Sequence, residues 1–169
     1  MSKAFTKDDA SDDAIVVAPR APLPEGVPNY VTPSGLAALR AELARLHEER
    51  STIEGASEDT ERARTRLALT TRIDALEERV AAAELIDPRA APRDEVRFGA
   101  TVTLKDENDQ ARTWRIVGVD EADAKKGRVA FTSPLARAML GKRAGDVAVV
   151  KTPRGDEEHE VVAIAYDDE

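Results

Sequence analysis

Apolar residues recur at heptad spacing in two runs between residues 36 and 83. The first run has one polar step, Arg50, and contains Leu36, Leu39, Leu43, Leu46 and Ile53. The second run contains Leu69, Ile73, Leu76, Val80 and Ala83. Alternating steps of three and four residues form the buried seam of paired helices. Because only a short Gly-bearing break at residues 54–57 separates the runs, the pattern predicts an antiparallel helical hairpin.

Start and stop signals set the expected bounds of this hairpin at residues 30–88. Thr32 followed by Pro33 is typical of a helix N-cap with proline at the first helical position. The helical pattern extends to Leu85 and Ile86, where Asp87-Pro88 should stop it. Residues 1–29 are rich in Asp and Pro, which predicts a disordered leader, and residues 89–93 form a short linker.

From Val96 onward the period changes from helical to alternating, which indicates strands. Five strands are expected, at residues 101–104, 113–119, 128–131, 146–152 and 160–165. Ser133, Pro134 and Gly141 bound a short helix with a capping residue, a first-turn proline and a terminal glycine. Residues 94–169 are therefore predicted to form a small antiparallel sheet domain with one short helix, and the whole chain is of the α+β class.

Composition narrows the classes of function. The 169 residues carry a net charge of −8, which disfavours a sequence-independent grip on nucleic acid phosphates. Cys is absent, so disulfides and thiolate sites are excluded. The sequence contains no apolar run of membrane-spanning length and begins with a polar segment, so we expect a soluble, cytoplasmic protein that does not contact membranes.

The sequence lacks the usual enzymatic motifs. The two histidines, His47 and His159, lie far apart and have no neighbours at metal-ligand spacing, so both are interpreted as surface residues. No Gly-rich phosphate loop and no nucleophile elbow occurs. We therefore expect neither an autonomous enzyme, nor a stably bound metal, nor a cofactor of its own.

The acids near the hairpin turn, Glu58, Asp59 and Glu61, have two interpretations. In one, Ser57 caps the second helix and the acids complement its macrodipole, each contributing about 0.3–1 kcal/mol. In the other, they are oxygen ligands for Mg²⁺. The pattern alone leaves both open.

Two further groups are candidate contact residues. Arg62, Arg64 and Arg66 form a basic stretch on the second helix, which is either a solvated surface or a face for RNA phosphates or an acidic protein wall. The second group is Ser133, Pro134 and Leu135. These place small apolar side chains on a capped corner, which suits docking to a partner, although packing over the sheet is the simpler interpretation.

Several strings in the second half resemble those of Gre-type bacterial transcription elongation factors. They are residues 96–102 (VRFGATV), 115–121 (RIVGVDE), 133–140 (SPLARAML) and 145–153 (GDVAVVKTP), and the resemblance, closest to GreB, extends over residues 30–166. It implies a coiled-coil hairpin followed by an FKBP-like domain that docks on RNA polymerase at its secondary channel. In cleaving members, tip carboxylates help to hold a Mg²⁺ ion of the polymerase active site, and the polymerase itself hydrolyses backtracked RNA.

The hairpin departs from this family pattern. It is about fourteen residues shorter than a GreB-type hairpin, which shortens each arm by about 10 Å. The resemblance also implies an acid pair three positions apart at the tip. Depending on the alignment, Asp59 and Arg62 or Glu58 and Glu61 occupy those positions.

The resemblance implies a monomeric accessory factor that acts on paused or backtracked elongation complexes. Its partners would be RNA polymerase and the 3′ end of nascent RNA, and the only metal would be the Mg²⁺ of the polymerase. The alternative is a non-cleaving regulator that occupies the channel, competes with longer Gre factors or modulates initiation. A third possibility, a prolyl isomerase of FKBP-like fold, conflicts with the scarcity of aromatic residues for a lined pocket.

Overall fold

The computed structural model describes residues 20–54 and 60–167, with only the backbone of Glu54 included. Ten helices and strands follow in this order: β1 (Asn29–Val31), α1 (Pro33–Glu54), α2 (Thr60–Ala81), β2 (Ala83–Leu85), β3 (Thr101–Lys105), β4 (Ala111–Val117), β5 (Arg128–Ala130), α3 (Pro134–Met139), β6 (Val147–Thr152) and β7 (Gly155–Ala165). Short 3-10 helices lie at Pro88–Ala90, Val119–Glu121 and Ala124–Lys126. Most of the predicted leader and the turn of the hairpin lie outside the described residues. Among the helices described, none is long and apolar enough to cross a membrane.

Helices α1 and α2 pack against each other along the predicted seam, which confirms the helical hairpin. Its buried side chains are Leu39, Leu46, Leu69, Ile73 and Leu76, and four further seam residues, Leu36, Leu43, Ile53 and Val80, pack against them. Burial of each large aliphatic side chain contributes about 1.5–3 kcal/mol. The hairpin is therefore stabilised by its seam rather than by helix propensity alone.

The base of the hairpin differs from the prediction. Helix α2 ends at Ala81, not at Ile86, and β2 pairs in parallel with β1. The side chain of Asn29 donates a hydrogen bond of 2.8 Å to the carbonyl of Arg79, one of the last α2 carbonyls. The backbone N–H of Ile86 donates to Val31 at 3.0 Å. Residues 83–85 thus exchange helical hydrogen bonds for pairing with a strand more than fifty positions earlier.

The second half of the chain forms a five-stranded sheet in the order β5-β4-β3-β7-β6. Pairs β3–β4, β3–β7 and β6–β7 are antiparallel, as predicted, but β4 and β5 are parallel. Two 3-10 turns lie between β4 and β5, and Gly127 at the end of the second one has φ 67°, which favours glycine. The α+β class is confirmed, with a mixed rather than purely antiparallel sheet.

Helix α3 packs against β5 and β6 and closes the core of the sheet domain. The completely buried core side chains include Val96, Val102, Ile116, Met139 and Val161. Tyr166 lies at the edge of this core, where its hydroxyl donates to the carbonyl of Glu95 at 2.5 Å. Burial raises the pKa of the Tyr166 phenol.

Aromatic side chains join the hairpin to the sheet domain. The ring of Tyr30 in β1 lies 5.9 Å from Phe98 and 5.3 Å from Phe131, and those two rings are 5.7 Å apart. Tilted and edge-to-face pairs at these centroid distances contribute stabilisation beyond area burial. Gly118 keeps the join tight, since a Cβ there would lie 2.4 Å from the Tyr30 carbonyl oxygen.

A carboxylate of the sheet domain sits on the N-terminus of α1. Glu121 accepts hydrogen bonds from the backbone N–H groups of Thr32 and Gly118, each at 3.1 Å, and from the Thr32 hydroxyl. Thr32 Oγ1 in turn accepts from Gly35 N at 3.0 Å, which confirms Thr32 as the N-cap. A Cβ at Gly35 would lie 2.1 Å from the Glu121 carboxyl carbon, so only glycine leaves room for this contact. The helix dipole favours the negative charge at this position.

A buried ion pair lies beside that contact. Arg79 Nε of α2 is 3.2 Å from Asp120 Oδ2, and the two side chains are 8% and 5% exposed. Asp120 Oδ2 makes no hydrogen bond within the described part of the chain, so its interaction with Arg79 is coulombic. Arg20 bridges the same carboxylate to α1 because its Nη1 donates to Asp120 at 2.7 Å and its Nη2 to Glu42 at 2.6 Å. Four segments distant in sequence meet at one point.

Candidate functional site

The corner at the start of α3 is fixed from both sides. Ser133 N donates to the Ala130 carbonyl at 2.9 Å, and Ser133 Oγ accepts from Ala136 N at 3.1 Å. This confirms Ser133 as the helix cap. Pro134 at the first helical position is exposed, and Leu135 is half-buried. The sequence thus folds into a rigid corner that presents Pro134 to solvent.

The opposite face of α3 is anchored in the core. Ala136 and Met139 are completely buried. Beyond the helix, Gly141 N donates to the carbonyl of Val96 at 2.8 Å. The packing interpretation is therefore confirmed for this face, and the docking interpretation concerns the other face. Whether Ser133, Pro134 and Leu135 contact a partner stays a prediction.

Of the three tip acids, only Glu61 belongs to the described residues. Glu58 and Asp59, as well as the proposed cap Ser57, lie outside the described residues. Glu61 is exposed in the first turn of α2, where a carboxylate complements the helix dipole. Within residues 20–54 and 60–167 no three metal-ligating side chains come together. The Mg²⁺ interpretation of the tip stays a prediction.

The predicted basic face is exposed, with Arg62, Arg64 and Arg66 all open to solvent. Counting back from Leu69 in steps of three and four places Arg66 and Arg62 on the seam itself. Arg64 points about 200° away from Arg62, since successive helical residues are about 100° apart. Near the hairpin turn, the seam positions of α2 are therefore occupied by Arg62 and Arg66, whereas from Leu69 onward they are apolar.

The two histidines differ in exposure: the His47 side chain is 40% exposed, in agreement with a surface position, and the His159 side chain is 21% exposed. His47 Nε2 lies 3.2 Å from Glu77 Oε1, which joins α1 to α2. His159 Nε2 lies 3.7 Å from Glu157 Oε2, and the His159 side chain is mostly buried. His159 also lines a groove of about 500 Å³ that borders Leu135. Sequence reasoning missed this groove because it is formed by residues from several strands.

One protein-family model matches part of the second half of the chain. Residues 91–166 match the model described as "Transcription elongation factor, GreA/GreB, C-term". This range contains the α3 corner, the whole five-stranded sheet and the acids Asp120 and Glu121 that hold the base of the hairpin.

Similar curated proteins agree with that match. "Transcription elongation factor GreA" of Acidiphilium cryptum is 49% identical over 96 residues, which are 56% of this chain and 61% of the relative. GreA of Nitrobacter hamburgensis is 48% identical over the same lengths. The chain therefore spans about three fifths of the curated relatives it matches. Because these relatives are named GreA, the closer likeness to GreB stays a prediction.

Solved structures resemble the chain more loosely. GreA factor homolog 1 (Gfh1) of Thermus thermophilus is 24% identical with a TM-score of 0.39, over 80% of this chain and 97% of that one. A GreA/GreB factor of Nitrosomonas europaea is 21% identical with a TM-score of 0.41, over 81% and 98%.

The matches at 45–49% identity and the family model at residues 91–166 agree with the motifs quoted from the sequence. Residues 91–166 are therefore similar in sequence to the C-terminal domain of GreA/GreB transcription elongation factors.

Proposed function

We propose that the chain is an accessory factor of RNA polymerase that docks at the secondary channel through the α3 corner and inserts the hairpin into the channel. The observation that carries this proposal is the family match over residues 91–166. RNA hydrolysis would be performed by the polymerase, and the factor would act on paused or backtracked complexes in the cytoplasm.

The geometry of the α3 corner supports the docking half of the proposal. Pro134 is exposed on a helix start that Ser133 holds through two hydrogen bonds, so little conformational entropy is lost when a partner covers it. Leu135 beside it is half-buried and offers an apolar edge. Interfaces bury such small apolar groups at their centre and leave charges to the rim.

The shape of the hairpin supports the insertion half. Each arm has 22 residues, which makes it about 33 Å long. The acids Glu58, Asp59 and Glu61 belong to the far end, where carboxylates would add oxygen ligands to a Mg²⁺ ion held by the polymerase. Arg62 and Arg66, which are exposed near that end, would face the phosphates at the 3′ end of nascent RNA.

The docking half is tested by replacing Pro134 with glutamate. A buried, unpaired carboxylate at an apolar contact costs at least about 1.4 kcal/mol, so we expect polymerase affinity to fall by about tenfold or more. The measurement is retention of the purified chain on immobilised core RNA polymerase. Pro92→Glu is the matched control, because Pro92 is also exposed but lies outside the corner. Equal retention of the Pro134 variant and the wild type would contradict the proposed docking face.

The alternative function is that of a non-cleaving regulator that occupies the channel and competes with longer Gre factors. The observation that favours it is the length of the arms, about 33 Å each. An arm shortened by about 10 Å would leave the tip acids short of the polymerase metal.

A transcript-cleavage assay on backtracked complexes separates the two modes. For the cleaving mode we expect the variant with Glu58, Asp59 and Glu61 replaced by alanine to lose at least about tenfold in cleavage rate, since the metal loses its added ligands. Its retention on polymerase should be unchanged. Wild-type protein that binds and competes with a longer Gre factor but stimulates no cleavage would instead identify the regulator.

A further inference from the structure

A loop that leads into β1 closes on helix α2. It comprises residues 20–28, and both of its ends contact Arg79. The Ala21 carbonyl accepts from Arg79 Nη2 at 2.5 Å, and the side chain of Asn29, directly after the loop, donates to the Arg79 carbonyl at 2.8 Å. Arg79 and Asn29 are both buried, so these contacts hold the loop (the clasp, residues 20–28) against α2.

The sequence of the clasp makes its backbone stiff. Pro22, Pro24 and Pro28 each have a φ angle that the ring fixes at about −65°. Val27 N donates to the Pro24 carbonyl at 3.1 Å, which closes a turn, and Gly26 supplies the positive φ of 74° at the third position of that turn. Few conformations are therefore open to the backbone that carries Arg20.

Arg20 connects the hairpin to the sheet domain through one guanidinium. Its Nη1 donates to Asp120 of the sheet domain at 2.7 Å, and its Nη2 donates to Glu42 of α1 at 2.6 Å. The Asp120 side chain is 5% exposed and the Glu42 side chain 31%, so solvent screens the Asp120 pair less than the Glu42 pair. A planar guanidinium has donors on two sides, which allows it to bind both carboxylates at once.

The contact with Glu42 lies well above the base of the hairpin. Glu42 is nine residues beyond Pro33, which is about 14 Å along the helix axis, whereas Glu121 contacts the chain at Thr32. If α1 moved away from the sheet domain by about 1 Å at Glu42, the bond of 2.6 Å would lengthen to the limit of a hydrogen bond, about 3.5 Å. That displacement corresponds to a rotation of only about 4° at the base. The contact at Glu42 is therefore more sensitive to the angle of the hairpin than the contact at Thr32.

We propose that Arg20 is a positioning residue that fixes the angle between the hairpin and the sheet domain. The clasp holds the backbone of Arg20 beside Arg79, and the guanidinium joins Glu42 to Asp120 at a height where small rotations break the contact. Glu121 fixes the base of α1, and Arg20 limits the rotation of α1 about that base. A fixed angle is a property of the isolated chain, so it goes beyond the proposed function and holds with or without RNA polymerase.

Distances between spin labels measure this angle in the isolated chain. The sequence contains no Cys, so two introduced cysteines are the only labelled positions. One label replaces Ser51, which is exposed near the end of α1, and the other replaces Lys151 on β6 or Lys125 beside β5, which are also exposed. Because β5 and β6 are opposite edges of the sheet, the two label pairs report rotation in different directions. Pulsed electron–electron double resonance then gives the distribution of distances for each pair.

Replacing Arg20 with alanine should broaden the distribution of at least one label pair by about twofold or more, because the hairpin gains orientations that the guanidinium excludes. Arg20→Lys should restore only part of the narrow distribution, since an ammonium group is a single point charge and cannot bind both carboxylates in the same geometry. Arg40→Ala is the matched control, because Arg40 is an exposed arginine of α1 and this variant has the same net charge as Arg20→Ala. It should give wild-type distributions.

A double variant tests whether Arg20 acts through Glu42. Glu42→Ala alone should broaden the distributions as Arg20→Ala does, and it should add nothing when residue 20 is already alanine. Additive broadening would overturn the proposal, and so would wild-type distributions for Arg20→Ala in both label pairs. Urea denaturation of the same variants is measured in parallel. A loss of stability with unchanged distances would assign Arg20 a purely structural role and would also overturn the proposal.

Assays with RNA polymerase connect the angle of the hairpin to the proposed function. Arg20→Ala leaves Ser133, Pro134 and Leu135 unchanged, so retention on polymerase should stay at the wild-type level. Cleavage or competition, whichever the wild type performs, should fall by at least about threefold, because a smaller fraction of the molecules has the hairpin in the competent orientation. If the wild type itself does not bind polymerase, the proposed function fails, while the label distances still decide the role of Arg20.

Discussion

Replacing Asp120 with alanine is expected to lower the free energy of unfolding by about 3–5 kcal/mol, because the change leaves the buried guanidinium of Arg79 without its partner charge. Arg79 and Asp120 are 8% and 5% exposed, and Arg79 Nε lies 3.2 Å from Asp120 Oδ2. The same change removes the carboxylate that Arg20 contacts at 2.7 Å. A partly exposed pair at this distance would matter far less, because solvent screens it.

Urea denaturation followed by circular dichroism measures this loss. Asp74→Ala is the control, since Asp74 is an exposed acid on α2, and it should shift stability by less than about 0.5 kcal/mol. A second variant, Arg79→Met with Asp120→Leu, replaces the pair by apolar side chains and should recover most of the loss. Equal effects of Asp120→Ala and Asp74→Ala would show that the ion pair contributes nothing.

Shortening Leu76 to alanine is expected to destabilise the hairpin by about 2–5 kcal/mol. Leu76 is 3% exposed and belongs to the buried seam, so the change removes both apolar burial and packing contacts. Because the seam is only one layer thick, few neighbouring side chains can move in to fill the cavity. In urea denaturation followed by circular dichroism at 222 nm, we expect the variant to lose its helical signal at a lower midpoint urea concentration than the wild type.

Leu67→Ala is the matched control for that change. Leu67 lies on the same helix and has the same side chain, but is 68% exposed. Alanine has the higher helix propensity, so this variant should be neutral to within about 0.5 kcal/mol. If both variants lose the same free energy, burial along the seam is not what stabilises the hairpin.

The sequence predicts best those features that depend on neighbours along the chain. The heptad seam and the caps Thr32 and Ser133 are local patterns, and the structure confirms all three. The strands of the sheet domain follow from alternation, which is also local. The bounds shift by a few residues because pairing partners decide where a strand ends. For example, β7 begins at Gly155, five residues earlier than predicted.

Features that depend on distant residues could not be predicted. The parallel pairing of β1 with β2 joins Asn29 to Ala83, and three-residue strands carry no periodic signal. The ion pair of Arg79 and Asp120 joins a hairpin helix to a 3-10 turn of the sheet domain. The groove needs the pairing register of several strands before Trp114 and His159 meet. In each case the information lies in the tertiary arrangement.

The contact between Glu121 and the N-terminus of α1 has a consequence at the opposite end of the molecule. Each arm of the hairpin is about 33 Å long, and Glu121 contacts the hairpin at its base. A tilt of about 10° there would swing the far end by about 6 Å, more than the reach of a carboxylate to a metal ion. The direction in which the hairpin points is therefore set by a few atoms at its base, where Gly35 leaves space for the Glu121 carboxylate.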